Sequence, residues 1–123
     1  MSKHPVNLAI RFALEVMAIA AFGIWGYRAS DALPGWILAI LLPLVFAGLW
    51  GVFAVRDDPS RSGKTVVRTP GPIRLMLELT LFGAAPWMLF DLDYQKLGWI
   101  FSAVVILHYA TSYDRIAWLL KQK

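Results

Sequence analysis

Four long apolar runs constrain what this chain can fold into. Residues 34–55 contain no charged side chain. Residues 7–27 are interrupted only by Arg11 and Glu15, and residues 72–90 only by Arg74 and Glu78. Residues 97–113 carry no Asp, Glu, Lys or Arg, and the helix they start is expected to run on to Trp118. A soluble helical bundle needs a polar face on each helix, and residues 34–55 offer none. With 59% hydrophobic and only 16% charged residues, too little polar surface is available to cover four buried helices. A spanning helix needs about 20 residues. Backbone in hydrocarbon must satisfy its own hydrogen bonds, so each run is read as a helix. The expectation is an all-α polytopic membrane protein of four transmembrane helices, at about 7–27, 34–55, 72–92 and 97–118. They form one domain over residues 1–123, built as two tandem helical hairpins.

The net charge of +4 does not point to nucleic acid, because of where the cations lie. Ten of the twelve Lys and Arg fall near the two termini or in and just beyond the central loop, while Arg28 and Lys96 alone lie in the other two loops. Four spans put both termini and the central loop on one side. The positive-inside rule makes that side cytoplasmic. The lipid bilayer is the expected partner, with anionic head groups as a second use of the basic excess. Lys3 ahead of an apolar run is reminiscent of a signal peptide. Glu15 interrupts that run and no small-residue cleavage site follows, so the first span is expected to be retained.

The chain has no cysteine, which removes disulfide and thiolate chemistry. Its two histidines lack metal-ligand spacing, so no metal is expected. No phosphate-binding loop, dinucleotide fingerprint, nucleophile elbow or HExxH is present. No cofactor and no enzymatic activity are expected.

An internal repeat organises the sequence. Residues 8–55 align without gaps on residues 71–118, pairing IRFALEV (10–16) with IRLMLEL (73–79) and Gly35-Trp36-Ile37 with Gly98-Trp99-Ile100. Each half is a hairpin with an even number of spans, so the halves run parallel about an axis along the membrane normal. The polar stretch 56–71 links them. Trp25, Tyr27, Trp36, Trp87 and Trp99 lie near the outer ends and Trp50 and Trp118 toward the cytoplasmic ends, as an aromatic belt would. Pro43 and Pro86 fall inside helices and are expected to kink them. Ala9/Ala13 and Ala47/Gly51 have spacings that permit close helix approach.

The repeated motif supplies the candidate site. Arg11 and Glu15 share a helix face at i,i+4, as do Arg74 and Glu78. Glu15 lies about 12 Å along its span at 1.5 Å per residue, and a carboxylate at that depth must face inward, pair or take a proton. His108, Thr111, Ser112 and Arg115 form a polar stripe at i, i+3, i+4 and i+7, flanked by Tyr109 and Tyr113. His108 falls near the middle of the fourth span, and Asp114-Arg115 reads as an interface charge pair. The matching positions of the second span are apolar, which places a site on the fourth-helix side of the axis. Glu15, Glu78, His108, Arg11, Arg74, Ser112 and Tyr109 are the candidate ligand or proton site. One reading is a small-solute or proton-linked permease-like or ligand-binding protein. Four short helices enclose little volume, so transport would need a homodimer. The alternative is a non-catalytic accessory protein whose Arg–Glu pairs dock helices or a partner membrane protein.

The Arg11–Glu15 motif, the Trp50-Gly51-x-Phe53-Ala54 end of the second span and the Arg74–Glu78 motif resemble the YrdB-like family of small bacterial inner-membrane proteins, over nearly the whole chain. That resemblance implies a four-helix membrane fold and supplies no catalytic residues.

Overall fold

The computed structural model describes residues 4–29, 34–55, 58 and 67–122. Its elements are α1 (Pro5–Ala29), α2 (Gly35–Val52), β1 (Phe53–Ala54), β2 (Val67–Arg68), α3 (Gly71–Asp91), α4 (Gln95–Thr111) and α5 (Tyr113–Lys121). Proline stands at or just before three helix starts: Pro5 opens α1, Pro34 and Pro70 precede α2 and α3, and Pro72 lies in the first turn of α3. Its fixed φ suits the first turn, where its missing N–H costs nothing. The α3–α4 turn closes with Asp93 at φ 65°. The Asp93 N–H bonds the Phe90 carbonyl and the Tyr94 N–H bonds the Leu89 carbonyl at 2.8 Å, a Schellman termination with Asp in the left-handed position.

Among the described residues the regular structure is helical apart from the short parallel pair β1–β2, in register Phe53↔Val67 and Ala54↔Arg68. That pair ties the two ends of the central linker together beside α3. Most of the linker the sequence predicts at 56–71 lies outside the described residues.

Among the described residues, three helices are long and apolar enough to cross a membrane by length and composition: α1 with 25 residues, α2 with 18 and α3 with 21. The fourth expected span, 97–118, is not one helix. It breaks at Ser112 (φ −101°, ψ 31°) into α4 of 17 residues and the amphipathic α5. The Ser112 N–H is shared between the carbonyls of His108 and Tyr109, and the Ser112 carbonyl accepts from both Arg115 and Ile116. His108 therefore lies in the last turn of α4 rather than at mid-span. Arg115 turns inward and is buried, in place of the expected interface pair with Asp114.

The core lies along α1 and α3. Leu14, Ala18, Ala21 and Phe22 meet Leu81, Phe82, Ala85, Met88 and Leu89, with Phe46, Phe101 and Tyr109 added from α2 and α4. The α1–α2 hairpin closes on glycines other than the expected small-residue pairs. A Cβ at Gly26 would lie 2.6 Å from the Leu38 carbonyl oxygen and one at Gly23 would lie 3.3 Å from that of Ala39. Ala9, Ala13 and Ala47 point outward, and a Cβ at Gly51 would meet nothing. Gly71 lets α5 dock on the start of α3, since a Cβ there would collide with the Leu119 carbonyl. Pro43 and Pro86 are carried within continuous helices. Large apolar side chains cover the outside, among them Phe12, Leu44, Met76 and Ile106. Thr80 and Ser102 sit among them because each hydroxyl donates to the carbonyl one turn earlier.

Candidate functional site

The two Arg–Glu motifs have different surroundings. Glu78 is fully buried and is the hub. Its Oε2 accepts from Arg74 Nε at 2.9 Å and Arg115 Nη2 at 2.6 Å, and meets Arg11 Nη2 at 3.1 Å. Its Oε1 accepts from the Tyr109 hydroxyl at 2.7 Å. One carboxylate thus ties together α1, α3, α4 and α5. Glu15 is only partly buried. It accepts from Trp50 Nε1 at 2.8 Å, and its own-helix partner Arg11 stands off at 3.6 Å.

Each arginine reaches further. Arg74 Nη1 donates to the carbonyls of Trp50 and Phe53, both at 2.6 Å, which satisfies backbone at the end of α2 and in β1. These carbonyls have no onward helical partner, and a guanidinium with five donors in a fixed fork suits them. Arg115 grips Asp58 with two hydrogen bonds, at 2.6 and 2.9 Å, the strong bidentate geometry. The Trp50 ring lies against both Arg11 and Arg74, at 4.9 and 4.7 Å to their guanidinium carbons, where the ring face attracts cations.

A second network runs beside the first. Asn7 Nδ2 donates to Ser112 Oγ at 2.8 Å, and Asn7 Oδ1 meets His108 Nδ1 at 2.7 Å. His108 contacts an amide here, where the sequence reading set it beside two carboxylates. Because Asp58 and the Phe53 carbonyl belong to the cluster, it lies at the linker end of the bundle.

A family model described as a protein of unknown function, DUF2568, matches residues 9–106. The chain belongs to that family. The uncharacterized protein YrdB of Bacillus subtilis (strain 168) is 38% identical over 119 residues, covering 97% of each chain. No solved structure matches. The family match takes in both Arg–Glu motifs and Trp50, and ends before His108, Tyr109, Ser112 and Arg115.

All seven candidate residues, Arg11, Glu15, Arg74, Glu78, His108, Tyr109 and Ser112, belong to these two networks. Of the remaining stripe, Arg115 joins them. Thr111 is exposed and bonds the His108 carbonyl, and Tyr113 points outward. The sequence reading missed Asn7, Trp50 and Asp58. Asn7 had a signal: it stands one turn before Arg11 on the same face. Trp50 fits an aromatic belt by its position in the sequence, yet its ring packs on Phe46 and Phe82 and carries the Glu15 hydrogen bond. Asp58 lies in a polar linker and had no periodicity to mark it.

Proposed function

We infer that this is an integral protein of the bacterial cytoplasmic membrane, non-enzymatic and accessory in role, whose buried charges dock its helices and hold a surface for a membrane partner. The carrying observation is the saturation of Glu78. A carboxylate has about four lone-pair sites, and Glu78 receives three guanidinium groups and one phenol while fully buried. A solute or proton route needs an accessible group with uncompensated charge, and this carboxylate is sealed from solvent and faces three guanidinium groups.

The fourth crossing is assigned to α4. Its 17 residues rise about 26 Å at 1.5 Å per residue, close to the roughly 30 Å of a hydrocarbon core. In this arrangement α5 lies in the interface, with Tyr113 and Leu120 exposed on one side and Arg115 and Leu119 buried on the other. Both termini and the central linker face the cytoplasm, following the cation count.

Two experiments test the reading. Single cysteines introduced at Ser2, Ser62 and Ser30 in this cysteine-free chain should label from the cytoplasmic side at the first two positions and from the outside at the third. Any other pattern overturns the topology. Native mass spectrometry from nanodiscs should release bare protein or protein with a second polypeptide. An organic small-molecule mass, lost in a folded Glu15→Gln/Glu78→Gln variant, would restore the ligand-binding alternative.

A further inference from the structure

The end of the bundle away from the linker carries a different set of charges. There the last turn of α1 meets the turn between α3 and α4, and a cavity of about 220 Å³ opens between them. Trp25, Arg28, Asp91, Leu92 and Asp93 line it. A second cavity, of about 440 Å³, shares Asp93 and follows the start of α4 past Tyr94, Lys96 and Leu97.

The charges lining this space do not cancel one another by direct contact. Asp91 is held by the indole of Trp25, whose Nε1 donates to Oδ2 at 2.8 Å. Arg28 rests on the face of Tyr94, 5.6 Å from its ring centre, and among the described residues it makes no ion pair with Asp91 or Asp93. Opposite charges that line one cavity without pairing across it are complementary to a zwitterion. Carboxylate oxygens only accept, so the cationic end of the ligand must bring N–H donors. A primary ammonium has them and a quaternary one has none. The guanidinium of Arg28 suits a phosphate. Across the two cavities Arg28 and Lys96 balance Asp91 and Asp93, so a ligand of no net charge leaves the sum at zero.

Position selects the source of such a ligand. Trp25 packs on Trp87 at 5.8 Å between ring centres, and Trp36, Trp87 and Trp99 are exposed around the same end. Indoles gather at the level of lipid head groups. The cavity is smaller than the roughly 300 Å³ at which sites for drug-sized ligands begin, which suits a head group. Leu97, exposed beside the second cavity, offers apolar surface to what the head group is attached to.

We propose that Arg28, Asp91 and Asp93 form a site for a phosphoethanolamine group, supplied as the head group of phosphatidylethanolamine in the outer leaflet, with its ammonium on the two carboxylates and its phosphate on Arg28. The lipid source rests on the membrane reading above, and the docking role of Glu78 stands apart from it.

The test uses the full chain in nanodiscs of phosphatidylcholine alone, and in discs of equal parts phosphatidylcholine, phosphatidylglycerol and phosphatidylethanolamine with identical acyl chains. Native mass spectrometry should release bare protein from the first. From the second it should release protein with one phosphatidylethanolamine, favoured about tenfold over either other lipid, which is about what one hydrogen bond to a charged group contributes. Asp91→Asn/Asp93→Asn should remove that preference. Both side chains are exposed, and Asn keeps the acceptor for Trp25 and tolerates the positive φ at 93, so the variant should fold. A folded Glu15→Gln/Glu78→Gln variant, altered at the opposite end, should keep the preference, which separates this site from the hub. Equal retention of the three lipids by the wild type overturns the proposal whether or not a variant folds. So does an undiminished preference in the folded Asp91→Asn/Asp93→Asn variant. Free phosphoethanolamine bound in phosphatidylcholine discs, with no selection of the lipid in mixed discs, would assign the cavity to a soluble ligand and overturn it as well. Labelling of a cysteine at position 30 tests the membrane reading separately.

Discussion

Glu78→Gln and Glu15→Gln change the same atom in the same repeated motif, and their consequences should differ widely. After Glu78→Gln, the new side chain could still accept from Tyr109 through its oxygen. Its amide would then face three guanidinium groups, donor against donor, where Oε2 now meets Arg74 at 2.9 Å, Arg115 at 2.6 Å and Arg11 at 3.1 Å. Three charge-assisted contacts are lost and three cations stay buried. Hydrogen bonds to charged groups contribute about 1.5–3 kcal/mol each, and removing one partner of a buried pair costs about 3–5 kcal/mol. The lost contacts are not additive because the arginines relax together, so the expected destabilisation is about 3–5 kcal/mol. After Glu15→Gln the amide oxygen can still accept from Trp50, the Arg11 contact is long at 3.6 Å, and the group is part-exposed. The expected cost there is about 0–1 kcal/mol. Reversible unfolding in mixed micelles, followed by tryptophan fluorescence, measures both. Equal losses at the two positions, or a loss below about 1 kcal/mol at Glu78, would refute the assignment of the hub.

Trp50→Phe removes the donor to Glu15 and weakens the ring face under Arg11 and Arg74, and the same unfolding assay should register about 1–2 kcal/mol. Gly71→Ala drives a methyl into the Leu119 carbonyl, so hydrogen exchange should accelerate across α5 while α1 stays protected. Asp58→Asn leaves Arg115 with a neutral partner in a bidentate grip, and a loss of about 1–3 kcal/mol is expected. Ser112→Leu supplies the residue found at the matching position of α2. It should favour a continuous helix and draw Arg115 away from Glu78. A Glu78–Arg115 double-mutant cycle in that background should lose most of its coupling, and an undiminished coupling would show that the break does not steer Arg115.

The sequence made the helices legible because apolar length and the lack of a polar face leave few alternatives. It also marked Arg11, Glu15, Arg74, Glu78, His108, Ser112 and Tyr109, since each interrupts an apolar run at helical spacing. What it did not reveal was geometry between elements. Helical spacing pairs Arg11 with Glu15, and only packing could show Arg11 crossing to Glu78. Trp50 fitted a belt by position, because indoles favour interfaces, while its burial depends on the guanidinium groups that reach it from α1 and α3. The end of the fourth span departs from the sequence expectation for a local reason. Residues 112–118 contain no proline or glycine to mark a helix end, and the break is a single residue whose carbonyl serves two N–H groups.

That break also explains why a motif present twice forms one hub. At an offset of 63, Phe46 corresponds to Tyr109, Trp50 to Tyr113 and Val52 to Arg115. Phe46 and Tyr109 are both buried, but only Tyr109 brings a hydroxyl, and it goes to Glu78. Beyond that point the halves diverge. The second helix continues, and its Trp50 turns inward to cover Arg11 and Arg74 and bond Glu15. The fourth helix breaks at Ser112, so Tyr113 points out and Arg115 points in. Glu78 thereby gains a third cation, while Glu15 has an indole where that cation would be. Arg11 lies within reach of both carboxylates and sits nearer the more buried one, at 3.1 against 3.6 Å. That is the expected choice, because an ion pair shielded from water is the stronger attraction. The asymmetry between the twin motifs thus follows from the side chains that the next helices bring up, at residues 46–52 and 109–115.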